Sequence, residues 1–288
     1  MSHEAAARRA LKLAPNLAEA HTSMGIVRLE EGNGPQAVRH LRRALDLKPS
    51  YWEAHHRLGV FYLKIGRVQE ALDHLEVAVE LNPEHARARH GLYDAYMAAG
   101  QAQKSLKEAR LQRRLGLEET AAIGGEVRAL QGLGRYEEAR RIAEEQVNDL
   151  GLETGWGAWF QAYLVSIAAA EGDTARAREH LEPLQAAEVH PMILAQGYAA
   201  IGETVKALET YQKLSEETWR WSIGASVEFR YGIMYDLALL RADPRYEELI
   251  QKANRAWGLT PDGSIPVRVD TSFPSRPEAD AQASLCHR

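Results

Sequence analysis

The chain has 288 residues, of which 45% are hydrophobic and 26% are charged, and its net charge is −5 at pH 7. This is an ordinary soluble composition, and the absence of a basic excess argues against a nucleic-acid partner. The single cysteine, Cys286, excludes a disulfide framework and a cysteine zinc site within one chain. No apolar run approaches the roughly 18 residues that span a bilayer, and no secretory signal is evident, so we expect a cytoplasmic protein without a membrane partner.

The first predicted element is a helix over residues 4–15. Ala10, Leu11 and Leu13 match the second helix of the two-helix units that follow, so residues 1–17 are interpreted as the second half of such a unit. Three explanations stay open: the chain is shortened here, the helix caps the array, or another chain supplies the missing packing. The last explanation predicts a homo-oligomer formed through the N-terminal half-unit.

From this helix onward, a pattern recurs every 34 residues. Glycine, proline and small residues each keep this spacing, as in Gly32, Gly66, Gly100 and Gly134, in Pro15, Pro49 and Pro83, and in Ala37, Ala71, Ser105 and Ala139. Glycine tolerates the left-handed turn that ends a helix, the small residue lets two helices approach closely, and proline cannot continue a helix interior. Apolar residues between these positions have helical spacing, so each unit is predicted to be two short helices.

This helix–turn–helix unit resembles the tetratricopeptide repeat, whose period is also 34 residues. The match is best over residues 52–83, which carry Leu58, Gly59, Tyr62 and Ala71 in the expected columns. The resemblance implies an all-α fold. It would be a right-handed α–α superhelix of about six repeats, with a starting half-repeat and C-terminal capping helices.

The resemblance also divides the chain. We expect a partial repeat over residues 1–17, three well-formed repeats over 18–119, degenerate repeats over 120–215, capping helices over 216–259 and a disordered tail over 260–288. Asp243 and Pro244 predict the start of one capping helix, as N-cap and first helical residue. The segment around it is similar to the closing helix of bacterial repeat proteins with signalling domains. The aromatic residues of 218–237 are predicted to plug the end of the superhelix.

In this family, the first helix of each repeat lines a concave groove that binds a protein partner. The resemblance implies a partner-binding surface made by Glu19, Thr22, Glu53, His56, Val60, Arg87, His90, Asp94 and Trp159. Such a mixture suits an extended peptide or a helix laid in a groove. Some relatives clamp the C-terminal carboxylate of chaperones, but the asparagines of that clamp are missing here, and only Arg87 and Lys64 offer positive charge.

Several histidines have two interpretations. His56 and His90 share a column in adjacent repeats, and Asp94 lies one turn after His90, so the three could ligate a divalent metal. Polar groove contacts without a metal are favoured, because the sequence does not fix the interhelix distance. His21 and His55 fall in a column that packs between helices and are predicted to be structural.

The remaining patterns give no sign of catalysis. The basic runs at residues 39–43 and 110–114 are predicted to be solvated outer faces. Nucleophile-elbow, phosphate-loop and His-Glu-x-x-His motifs are absent, so we predict a protein-binding scaffold that is not an enzyme and needs no cofactor. The alternatives are an assembly module that pairs through its N-terminal end and the recognition part of a larger signalling or transferase enzyme.

Overall fold

The computed structural model describes residues 2–214, 240–261 and 264–265. Within them the chain is all-helical, without strands. The helices are α1 (His3–Leu13), α2 (Ala18–Glu30), α3 (Gly34–Leu47), α4 (Trp52–Lys64), α5 (Val68–Leu81), α6 (Ala86–Ala98), α7 (Ala102–Arg114), α8 (Glu119–Gly132), α9 (Tyr136–Leu150), α10 (Gly155–Ala170), α11 (Thr174–Ala186), α12 (Pro191–Ala200), α13 (Thr204–Gln212) and α14 (Pro244–Ala256). The predicted aromatic plug and most of the predicted tail lie outside the described residues. None of the described helices is long and apolar enough to cross a bilayer.

Helices α2 to α13 pack as six successive pairs, and α1 packs on α2 through Ala7. Two glycines show why the repeat requires glycine at their positions. Gly66 takes the left-handed conformation, with φ 92°, in the turn between α4 and α5. Gly59 lies under the second helix, where an added Cβ would come within 2.5 Å of Leu75 Cγ. The first glycine permits the turn, and the second permits the close approach of the pair. The predicted all-α solenoid is therefore confirmed.

The boundary between α7 and α8 departs from the repeat pattern, because Leu117 stands in the proline column. Here α7 ends at Arg114, Gly116 follows in a left-handed turn with φ 67°, and the N–H of Leu117 donates to the carbonyl of Gln112 at 3.2 Å. Glu118 then takes a left-handed conformation, with φ 43°, as no other non-glycine of the described residues does. A side chain in this region costs on the order of 1–3 kcal/mol. The turn therefore stores local strain.

Polar pairs separated by 19 residues join the two helices of several repeats. These pairs are His21–His40, His55–His74, Arg89–Glu108 and Gln161–His180. In the two histidine pairs the Nδ1 atoms lie 3.2 and 2.9 Å apart. The Nε2 atom of His21 lies 2.9 Å from the carbonyl oxygen of Pro15, and that of His55 lies 3.0 Å from the carbonyl oxygen of Pro49. The interhelical placement predicted for His21 and His55 is confirmed.

The basic runs are less solvated than the sequence suggested. His40 is half-buried against His21, and Arg42 donates a hydrogen bond to the hydroxyl of Tyr62 at 2.9 Å. In the second run, Arg110 and Arg113 reach the buried carboxylate of Glu126 at 2.7 and 3.4 Å, whereas Arg114 is exposed. The predicted outward placement holds for Arg42, Arg110, Arg113 and Arg114, which are exposed, but both runs also contain residues that bridge neighbouring helices.

Helix α14 connects the last repeat with the first two. It begins as predicted, with Asp243 as N-cap and Pro244 in the first turn. Its apolar side, formed by Tyr246, Leu249, Ala253 and Ala256, packs in one cluster with α12 and α13. At its other end the Trp257 ring packs edge-on against Phe61, with ring centroids 5.4 Å apart. Residues of the first and last repeats are thus joined through one helix.

Part of the segment predicted as a disordered tail is among the described residues. The Thr260 hydroxyl donates to the Ser264 carbonyl at 2.9 Å, and the side-chain amide of Asn254 donates to the Pro261 carbonyl at 2.8 Å. Ile265 packs against the core cluster of the first two repeats. The chain therefore continues along these repeats after α14.

We expect the histidine pairs to make stability depend on pH. Burial, then the partner ring and nearby arginines, lowers the pKa of His40 and His74 from 6.5 to about 4. Below pH 6.5 the unfolded chain binds protons that the folded chain does not bind until about pH 4. The free energy of unfolding therefore has its full value above pH 6.5 and decreases as the pH falls from 6.5 to about 4. Allowing for partial exposure of both rings, we expect a loss of about 1–2 kcal/mol per pair.

Thermal unfolding at pH 7 and pH 5, followed by circular dichroism, tests this expectation. The variant H40Q/H74Q keeps polar side chains in both pairs but removes two titrating rings. Its melting temperature should fall less than that of the wild type between the two pH values. Equal falls in the two proteins would contradict a role for the pairs, because all other titrating groups are shared.

Candidate functional site

Two neighbouring cavities lie along the first helices of the repeats, on either side of α4. The larger has a volume of about 640 Å³ and is lined by His56, Arg57, Val60, Lys64, Arg87, His90, Glu118, Glu119, Thr120, Ala121 and Trp156. The smaller has a volume of about 100 Å³ and is lined by Ile26, Leu29, Glu30, His56, Arg57, Val60, Phe61, Lys64 and Trp257. Because α4 contributes residues to both, it forms the wall that the two cavities share.

The larger cavity carries charges of both signs. Arg57 and Arg87 face it together with Glu118 and Glu119, and Arg87 Nε lies 3.7 Å from Glu118 Oε1 in a largely exposed pair. Trp156, at the start of α10, adds an indole ring that is 39% exposed. A cavity with mixed charge and an exposed aromatic ring can pair with backbone, charged and apolar groups of a peptide.

The shared wall is less positive than its sequence suggests. Burial, followed by the charges of Arg57, His85 and Arg87, lowers the pKa of His56 to about 3, so this ring is neutral at pH 7. Burial and the charge of Arg57 lower the pKa of Lys64 to about 7. Lys64 is thus a poor substitute for the exposed lysine of a carboxylate clamp. The lasting positive charge of the wall comes from Arg57, and Arg87 on α6 adds to that of the larger cavity.

Asp94 is a buried partner in an ion pair. Its carboxylate binds the Arg128 guanidinium on α8 and lies 3.4 Å from His90 Nε2. Burial alone would raise the pKa of Asp94, but Arg128 and His90 outweigh it and hold the pKa below its ordinary value. His56 turns instead towards His85, with ring centroids 5.0 Å apart. No three His, Cys, Asp or Glu side chains of the described residues are grouped to hold a metal ion.

The structure brings His56, Val60, Arg87 and His90 together in the larger cavity. These four belong to the predicted groove surface. His90 also stacks on its neighbour Tyr93, with ring centroids 4.9 Å apart, which fixes the orientation of its ring.

The other predicted groove residues have structural contacts. Glu19 pairs with Lys48 at 3.1 Å, and Glu53 accepts a hydrogen bond from the Tyr51 hydroxyl at 3.2 Å. Thr22 is buried. Trp159 is half-buried and packs against three apolar clusters that include residues of α8 to α14. These positions are on the predicted helices, but they do not line either cavity.

Among the residues that line the cavities, sequence reasoning missed Arg57, Glu118, Trp156 and Trp257. The lost proline at Leu117 was a usable signal, because it changes the turn that carries Glu118 into the cavity. Arg57 follows His56 directly in α4, outside the groove columns of the family. Trp257 had no local signal, since its contacts are with residues about 200 positions earlier.

The buried ion pair of α6 and α8 gives a stability prediction. D94A leaves the Arg128 charge without its carboxylate, and we expect a loss of about 3–5 kcal/mol in the free energy of unfolding. Urea unfolding measures this loss. The control E138A removes the exposed Arg135–Glu138 pair, which water screens, and should cost far less. A D94A loss as small as that of the control would contradict the assignment.

Comparison with known proteins agrees with the repeat geometry. The family model described as "Tetratricopeptide repeat" matches residues 22–86, and a second model with the same description matches residues 66–114. No curated protein sequence matches the chain.

Solved structures share the fold at low sequence identity. A tetratricopeptide repeat protein from Parabacteroides merdae is 16% identical with a TM-score of 0.62, over 80% of this chain and 90% of that one. A chain of the APC/C hetero-tetramer Cut9–Hcn1 is 13% identical with a TM-score of 0.50, over 86% of this chain and 51% of that one. Pseudomonas aeruginosa pilF is 16% identical with a TM-score of 0.49, over 74% and 96%. The family matches identify tetratricopeptide repeats over residues 22–114, and the first of these structures shows that the fold extends over most of the chain.

Proposed function

We propose that the chain is a protein–protein interaction scaffold that holds a peptide or a helical segment in the groove, centred on the larger cavity. The observation that carries this proposal is the lining of that cavity, in which the exposed Trp156 ring lies among Arg57, Arg87, Glu118 and Glu119. Aromatic and arginine side chains are the residue types that most often dominate binding energy at protein interfaces.

The rim of the cavity is able to exchange its internal contacts for a ligand. The Arg87–Glu118 pair is long and exposed, so it contributes at most about 1 kcal/mol, and breaking it costs little. Glu118 also sits on the strained turn that precedes α8. Residues other than glycine that adopt a strained backbone conformation are concentrated at binding sites. The conformation of Glu118 therefore supports a ligand contact at this rim. A partner segment with both acidic and basic side chains and an apolar anchor fits this arrangement.

The scaffold interpretation includes several expectations that stay predictions. These are the lack of enzymatic activity, the absence of nucleic-acid and membrane partners, and the cytoplasmic location. The remaining predicted groove residues also stay hypotheses; these are Glu19, Thr22, Glu53, Asp94 and Trp159. We propose that they act indirectly, by packing the helices that line the cavity.

Capture of partners by the full-length protein tests the groove. R87A/W156A removes one cation and one exposed aromatic ring from the cavity, and we expect it to reduce capture about tenfold or more, as the loss of an interface hot spot does. The matched control R178A/V205A removes one exposed cation and one exposed apolar side chain on α11 and α13, outside both cavities. It should bind as the wild type does. Equal capture by both variants would contradict the proposal.

A second candidate function is self-association through the N-terminal half-repeat. It is favoured by two leucines at the α1–α2 turn, since Leu13 is 74% exposed and Leu17 is 45% exposed. Light scattering should then show a dimer or larger species that dissociates in L13S/L17S. A wild-type monomer at high protein concentration would rule out this function and leave the groove proposal unaffected.

A further inference from the structure

The segment Trp257-Gly258-Leu259 at the end of α14 packs against the turn between α2 and α3 and against α4, beside the smaller cavity. We propose that it is an internal occupant of a second binding site, which also accepts from a partner protein a helix end with an aromatic residue, then glycine, then an aliphatic residue. Occupation by the chain's own segment would limit partner access to the groove. This inference rests on the proposed groove function and adds the chemistry of the partner segment.

The side-chain contacts define the aromatic position. Trp257 is only 4% exposed, and its ring meets the edge of Phe61. The Lys64 Nζ lies 5.3 Å from the centroid of the indole, within the range of a cation–π contact. Leu259 is buried in the same cluster, and Ile265 packs against it. This site therefore binds an aromatic ring that is followed, two residues later, by an aliphatic side chain.

The backbone contacts define the helix end. The Gly34 N–H lies at the start of α3, where a helix has no internal acceptor, and it donates to the Trp257 carbonyl at 2.9 Å. Gly258 is left-handed with φ 65°, and an added Cβ would lie 3.1 Å from the carbonyl oxygen of Gly32. The Leu259 N–H closes the helix end by donating to the Asn254 carbonyl at 3.1 Å. The site thus recognises a glycine-terminated helix end.

The receiving surface belongs to the first two repeats and is continuous with the groove. Its contacts come from Gly32, Gly34, Phe61 and Lys64, about 200 residues before the segment that fills it. Trp257 leaves a mostly apolar space of about 100 Å³ beside it, and α4 separates this space from the larger cavity. A partner segment that extends from the larger cavity across α4 would reach the Trp257 position and compete for it.

Binding of a labelled peptide to the full-length protein tests the site. The probe is a fluorescein-labelled synthetic peptide of residues 243–265, measured by fluorescence anisotropy. W257A frees the site, so it should bind this peptide at least tenfold more tightly than the wild type does. A probe with alanine in place of its tryptophan should not show this gain in affinity. The variant G34A/W257A should not show it either, because an added Cβ at Gly34 would lie 2.7 Å from the Phe61 ring and 2.8 Å from the Trp257 carbonyl.

Folding of the variants is checked by circular dichroism, and L259A is the milder substitution if W257A fails to fold. It should give a smaller gain in affinity in the same direction. Equal affinity of the wild type and the folded variant for the probe would overturn the proposal. A wild-type dimer that becomes a monomer in W257A would also overturn it, because the occupant would then be the segment of a second copy.

Partner capture separates this inference from the proposed function. If the inference holds, W257A captures more partner than the wild type, whereas R87A/W156A captures less. If W257A captures the same amount while R87A/W156A captures less, the internal occupant is wrong and the groove function stands. If neither variant changes capture, both proposals fail.

Discussion

The close contact between the two helices of a repeat, seen most tightly in the first two repeats, is the constraint on which the rest of the structure depends. Gly25 lies under Leu41 and Gly59 under Leu75, at distances that leave no room for a Cβ atom. Any larger residue would force the two helices of the pair apart or shift the leucine. Since first helices such as α4 and α6 also line the larger cavity, this spacing sets where the residues that line it can stand.

The period of the sequence predicted the helix pairs well, because their turn glycines and small packing residues are local requirements that recur in every repeat. The candidate site was only partly predictable. His56, Val60, Arg87 and His90, which the sequence placed on the inner face, line the larger cavity, but Asp94 binds Arg128 on the next repeat, and that pairing depends on the geometry between repeats. Trp257 could not be placed, since its contacts cross most of the chain.

Helix α4 links the two parts of the proposed function. Its inner face contributes His56, Val60 and Lys64 to both cavities, while Phe61 supports Trp257 from the smaller one. The larger cavity is open and mixed in charge, and the smaller one is mostly apolar and is lined on one side by the chain's own helix end. A ligand that spans both cavities must form polar contacts in the larger one and displace Trp257 beside the smaller one. The choice of partner would therefore depend on these two interactions.

Hydrogen–deuterium exchange of the full-length protein with and without a captured partner segment tests groove binding most directly. Exchange reports which backbone amides a ligand protects. We predict slower exchange in α4, α6 and the first turns of α8 and α10, with no change in α9 and α11. Protection confined to the second helices of the repeats would contradict a partner site in the groove.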